Sequence, residues 1–204
     1  MFNQDKFDKL KTTTHNQLLL WKQSRGFAPD EVADRLAVAM LEWLDDLTKT
    51  LQIWIDKGEN MSDGELILAR TNLGSVVESW LKFFYTVYYD DYLKAPLTKN
   101  NGKMIDPKNM SFEQLKDFSV GKLWDDKQSD MYTFVDSVQH KRNAIHAFNK
   151  RSIGTASDYL DDVDRLCNSI DELINRLPSI EDYIEAYPAG YISDFDTGTD
   201  IHQF

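Results

Sequence analysis

From Leu160 to Leu177 the apolar residues Leu160, Val163, Leu166, Cys167, Ile170, Leu173, Ile174 and Leu177 recur every three or four positions. That spacing lines one face of an α-helix. A strand would throw alternate members of the set to opposite faces, so the pattern commits this stretch to helix. The same period returns in three more long stretches, and most of them open on a helix-start signal. Pro29-Asp30-Glu31 puts proline and acids at a first turn. Ser62 with Glu65, Ser111 with Gln114 and Thr155 with Asp158 have the spacing of reciprocal caps. These signals predict helices over 30–57, 62–94, 111–118, 125–149 and 155–177, with one helix or two half-helices in the first 24 residues. The Thr12-Thr13-Thr14 run is a candidate boundary between such halves. Short connections favour antiparallel neighbours, and the expectation is an all-α bundle of about five to seven helices.

The chain of 204 residues is 42% hydrophobic and 28% charged, an ordinary globular composition that allows a real core. The reading is one domain over 1–187 and an acidic, aromatic tail over 188–204, with Tyr191, Phe195 and Phe204 as anchors. Ser179 to Tyr187 reads as one more helical turn or two. No run approaches the roughly 20 apolar residues that span a bilayer, and the N-terminus lacks signal-peptide character, which makes the expected location cytoplasmic. The single cysteine excludes an intramolecular disulfide framework. Cys167 lies in an apolar stripe and reads as core filler. His15 and His202 have no companion ligands nearby in sequence. The net charge of -11 argues against extended, non-specific DNA binding, which needs many phosphate contacts.

Against that acidic background one stretch is basic. Gln139 to Arg151 reads Q-H-K-R-N-A-I-H-A-F-N-K-R. Met131, Phe134, Val135, Val138, Ile145 and Phe148 set a helical stripe through it; Arg142 falls against that stripe and His146 four residues on at its margin. Residues at i and i+4 are neighbours on a helix, so guanidinium and imidazole are expected side by side. A half-buried arginine needs a counter-charge. That partner is either a carboxylate, making the pair structural, or a phosphate, making it a site. Glu78 is open to the same choice, as a solvent-facing acid paired with Lys82 or as the carboxylate beside Arg142. Lys94, Lys99, Lys103 and Lys108 lend positive character to the turn-rich loop 97–109, read as a solvated loop or a rim over a site. Asp161, Asp162 and Asp164 diverge around a helix and do not converge on one ion, so no metal is expected. Nucleophile elbows, zinc ligand pairs and nucleotide-binding glycine patterns do not occur, and no cofactor is expected.

Arg142-Asn143-Ala144-Ile145-His146-Ala147-Phe148, late in a helical chain, resembles the Arg-Asn…His signature of the HEPN superfamily of helical-bundle domains. Gly74 to Phe84 (G-S-V-V-E-S-W-L-K-F-F) is similar to the helix preceding that motif in some HEPN-like families. The nuclease motif usually places four to six residues between arginine and histidine; here three intervene, a shortened form that also occurs in HEPN-like families. The resemblance implies a metal-independent endoribonuclease of the toxin, abortive-infection or stress-response kind, working as a homodimer and held in check by a neutralising protein partner. It assigns Arg142, His146 and Asn143 to catalysis, Lys141, Lys150 and Arg151 to flanking phosphates, and Glu78 to positioning Arg142. The alternative is a non-catalytic HEPN-like module that dimerises and binds a partner or a nucleotide.

Overall fold

The computed structural model describes residues 2–146, 148 and 150–179. They form an all-α bundle: α1 (Gln4–Lys22), α2 (Asp30–Val38), α3 (Leu41–Lys57), α4 (Asp63–Val87), α5 (Tyr89–Lys94), α6 (Phe112–Phe118), α7 (Asp130–Arg142) and α8 (Ala156–Asn175). No helix among them is long and apolar enough to cross a membrane. Ser179–Tyr187, beyond Ser179 itself, the tail 188–204 with its aromatic anchors, and His202 lie outside the described residues.

The four long stripes all produce helices, and the caps appear where the spacing places them. Ser62, Ser111 and Thr155 each accept from the backbone three residues on, while Glu65, Gln114 and Asp158 reach back. Three boundaries differ from expectation. The stretch 30–57 divides at Ala39, whose extended backbone interrupts the helical hydrogen bonds; Lys22 Nζ donates to the Ala39 carbonyl thus freed, at 2.5 Å. Two phases of apolar residues run through that stretch: Leu36, Leu41, Leu44 and Leu51 are buried, whereas Val38, Met40 and Trp43 face outward. The stretch 62–94 breaks at Tyr88, where α5 turns away. The threonine run, in contrast, interrupts nothing. Thr12 and Thr13 hydroxyls donate to carbonyls four residues back, and Thr14 is buried inside a continuous α1. The bundle therefore holds eight α-helices among the described residues where five to seven were expected.

Helix α4 is the axis. It packs against α2, α3, α5, α6, α7 and α8, and its buried positions include Leu73, Val76, Val77, Trp80, Leu81 and Phe84. Such wide apolarity suits a helix surrounded by others. Phe7, Leu10 and Trp21 of α1 and Val163, Leu166 and Cys167 of α8 join the same cluster. Burial pushes the Cys167 thiol up to about 12, which fits core packing. Loop 97–109 is anchored. Leu97 and Ile105 are joined by a backbone hydrogen bond, Asp106 pairs with Arg35 at 2.5 Å, and the turn Pro107–Asn109 packs on α4.

The cap at α4 carries a pH signature. Hydrogen bonds from Lys57, then from Ser62, hold the Glu65 carboxyl below its ordinary 4.5, at about 2. A depressed folded value means the stabilisation is present above 4.5 and is lost as pH falls toward 2. In thermal melts followed by circular dichroism, Glu65→Ala should melt below the wild type at pH 7, and the gap should close between pH 4.5 and 2.

Candidate functional site

The start of the basic stretch occupies the junction of α4, α7 and α8, where Arg142 and Lys141 meet two different acids. Arg142 ends α7 and its guanidinium meets Glu78 of α4 at 2.9 Å. Glu78 also takes the Lys82 ammonium at 2.8 Å, so it pairs with both expected partners, but as a largely covered acid and not a solvent-facing one. Glu78 is 13% exposed and Arg142 33%, which leaves about a third of the arginine side chain facing solvent beside a covered carboxylate. Lys141 turns the other way. Its ammonium reaches Asp162 of α8 at 2.6 Å, and the same carboxylate receives the buried Arg70 guanidinium of α4.

Sequence reasoning had no role for Arg70, yet it organises the junction. Its Nε donates to the Ile153 carbonyl at 3.0 Å and its Nη2 to that of Thr155 at 3.4 Å. These bonds draw the connection into α8 against α4. Gly154 permits the approach: its φ is +68°, and an added Cβ would sit 2.9 Å from Asp158 Oδ2 and 3.2 Å from Arg70 Nη2. Gly74 plays the matching part beneath Arg142. A Cβ there would lie 2.7 Å from both Cβ and Cγ of Arg142, so only glycine lets the arginine stem rest on α4. Arg70, Gly74, Glu78 and Lys82 follow one another at four-residue steps along α4, a signal that was available in the sequence as a winding row of neighbours.

The expected single helix through His146 does not form. Helix α7 ends at Arg142, and Asn143–Ile145 make one 3-10 turn in which His146 N–H donates to the Asn143 carbonyl at 3.2 Å. Ala144 is buried against α4, whereas Ile145 and Phe148, expected in the apolar stripe, are exposed. The physical reason lies downstream. The chain has to turn at once to bring Ile153 and Thr155 to Arg70, and a helix continued to residue 149 would carry it past. Arg142 and His146 therefore lie on successive elements, not on one helical face. His146 is exposed, as are Lys150 and Arg151, and Asn143 is half-buried. Among the described residues Lys150 and Arg151 form no ion pair.

The remaining candidates resolve locally. His15 pairs with Asp45 of α3 at 2.8 Å. Of Asp161, Asp162 and Asp164 in α8, Asp162 faces Arg70 and Lys141, while Asp164 accepts from the Asn3 backbone and stands 3.9 Å from Lys6. Among the described residues no group of three His, Cys, Asp or Glu side chains could hold a metal ion.

What the arrangement offers chemically is a guanidinium fixed by one carboxylate, with an open imidazole and two open cations on the segment that follows. Two substitutions probe its foundations. Gly74→Ala in a helix should stabilise by about 1 kcal/mol on propensity alone, but displacing the Arg142 stem should cost about 1–3 kcal/mol. The second effect wins, and the melting temperature falls by a few degrees. Asp162→Ala strands Arg70 in the core and should cost about 3–5 kcal/mol, read from urea unfolding monitored by tryptophan fluorescence.

Compared with family models, with curated proteins and with solved structures, the chain matches none.

Proposed function

We propose that the chain is a HEPN-like helical domain that cleaves RNA phosphodiesters without a metal, at the surface formed by Arg142, Asn143 and His146. The observation that carries this reading is the half-open Arg142 guanidinium, pinned by Glu78 on a close-approach glycine, with the exposed His146 four residues on. A guanidinium held in place by a second group presents its remaining donors in a defined direction, which suits the planar recognition of phosphate oxygens. An imidazole exchanges protons near neutral pH.

In the reaction the 2′-hydroxyl oxygen attacks the adjacent phosphorus and the bond from phosphorus to the 5′-oxygen breaks. The products are a 2′,3′-cyclic phosphate and a 5′-hydroxyl. His146 takes the proton of the attacking hydroxyl; the leaving 5′-oxygen receives one from an imidazolium, either the same group or His146 of a second copy in a homodimer. Arg142 stabilises the charge that builds on the non-bridging oxygens. Asn143, half-buried at the head of the 3-10 turn, orients its neighbours. Lys150 and Arg151 hold flanking phosphates. Lys141, engaged with Asp162, supports the junction from below and is the member of the expected phosphate-binding set with the least freedom to leave its partner. A toxin-like or phage-defence role with a neutralising protein partner follows from the same family reading and adds no further residue.

A second reading rests on the same ion pair. Glu78 binds both Arg142 and Lys82, so the pair is complete without a ligand, and the three-residue interval between Arg142 and His146 is short for the nuclease motif. On this view the domain is a non-catalytic HEPN-like module that binds a partner or a nucleotide.

Incubation of the purified chain with mixed RNA in excess chelator separates them. The nuclease reading expects cleavage products ending in cyclic phosphate, and a loss of about 100-fold or more in His146→Ala, the usual scale of a removed general acid or base. Equal cleavage by both proteins, or none by either, removes it.

A further inference from the structure

Where α2 and α3 meet at Ala39, the chain leaves an open groove of about 440 Å³ against α4, within the roughly 300–1,000 Å³ of small-ligand sites. Its lining includes Val38, Met40 and Trp43, which are 79, 48 and 63% exposed. These are the apolar residues that the bend turns outward. The Trp43 ring packs on no other aromatic ring, and its Nε1–H has no hydrogen-bond partner among the described residues. Helix α4 brings Ser79 and Lys82 to the same groove.

The charges around it run against the chain's net -11. Arg35, Lys82 and Lys108 line the groove with one carboxylate, Asp106. Arg35 is occupied by Asp106 at 2.5 Å and by Glu31 at 2.7 Å. Lys108 is exposed and makes no ion pair among the described residues. Lys82 holds one oxygen of Glu78 at 2.8 Å, and Arg142 holds the other at 2.9 Å. On α3, Glu42 is taken by Lys22 at 3.2 Å, and Asp46 is exposed about one turn from Trp43; neither lines the groove. A single carboxylate therefore separates a groove cation from the Arg142 guanidinium, and the groove adjoins the proposed reactive surface. A two-fold contact between copies through this groove would set both Lys108 side chains at one interface, whereas a phosphate gives that lysine a counter-charge.

From this continuity we infer that the groove takes one unpaired base of a single-stranded RNA whose phosphate meets Arg142. The inference rests on the nuclease reading for the strand's place at Arg142 and adds a base subsite to it. Trp43 stacks on the base, Val38 and Met40 cover the rest of its apolar surface, and Lys108 meets a neighbouring phosphate. Ser79 offers its hydroxyl to a base edge. A base within a duplex cannot enter, because it would have to leave both its stack and its pairing partner. Stacking accepts every base, so the subsite selects strand form more than sequence.

Fluorescence anisotropy of a labelled 2′-O-methyl RNA, which lacks the attacking hydroxyl and cannot be cut, tests the subsite apart from the chemistry. The protein should bind this strand and, at the same salt, bind its duplex at least about tenfold more weakly. Trp43→Ala should weaken single-strand binding by about tenfold or more, the scale of one lost base–aromatic stack. Trp43→Phe should recover most of that loss, and both variants should melt with the wild type because the side chain is largely exposed. Lys108→Ala should reduce the slope of log affinity against log salt by about 0.7, one phosphate contact on a single strand. No binding, equal binding of the duplex, or affinity indifferent to Trp43→Ala overturns the inference. So does weakened self-association in Trp43→Ala, which would put a second copy in the groove. Cleavage of ordinary RNA, read in parallel, keeps the two claims apart. Binding that needs Trp43 without any cleavage removes the nuclease chemistry and keeps the subsite, whereas cleavage unaffected by Trp43→Ala removes the subsite and keeps the chemistry.

Discussion

The junction of α4, α7 and α8 depends on one buried charge. Arg70 is covered on every side and can be tolerated there only because Asp162 supplies the counter-charge and two backbone carbonyls take further donors. Removing an arginine from water without such partners costs several kcal/mol. Every nearby feature follows from satisfying it: the positive φ at Gly154, the tight turn into α8 and the early end of α7. Lys141 adds a second cation to Asp162, so the carboxylate ties three helices at one point. A well-packed apolar trio could serve stability as well. What the ionic version adds is direction, because guanidinium donors accept partners in only a few orientations.

The proposed reactive surface inherits its geometry from that junction. Adjacent residues of α7 point about 100° apart, so Lys141 and Arg142 cannot share a carboxylate, and they take Asp162 and Glu78 respectively. This division leaves Arg142 near the edge of the bundle and half open, and puts His146 on the turn beyond it. The site is therefore fixed at the arginine and looser at the histidine, where a 3-10 turn replaces α-helix. Proton transfer tolerates that arrangement if substrate or a second copy completes it, since catalytic hydrogen bonds commonly tighten only in the bound state.

The helices and their starts were legible because their causes are local. A cap needs two residues three apart, and an amphipathic stripe needs only a repeat. Reading failed where local signals conflicted with packing. Val38, Met40 and Trp43 are as apolar as their buried neighbours, and the sequence could not say that Ala39 would straighten and turn them outward. Ile145 and Phe148 continued the α7 stripe in phase, but the helix stops first. The candidate site was half legible. Glu78 and Arg142 could be paired as a choice between two roles, yet that both pairings coexist depends on Lys82 and Arg142 arriving at one carboxylate from different directions.

By itself, then, the sequence determined that this chain is helical, where most helices begin, that Cys167 serves the core, and that one basic stretch interrupts an acidic surface. The tertiary structure alone decided which acids Lys141 and Arg142 would meet. The reason is physical: periodicity and capping involve neighbours within a turn or two, while the partner of a buried charge can lie far along the chain, as Asp162 lies 92 positions from Arg70. Two glycines record that choice, Gly74 under Arg142 and Gly154 beside Arg70, each lacking the one carbon that would have kept the helices apart.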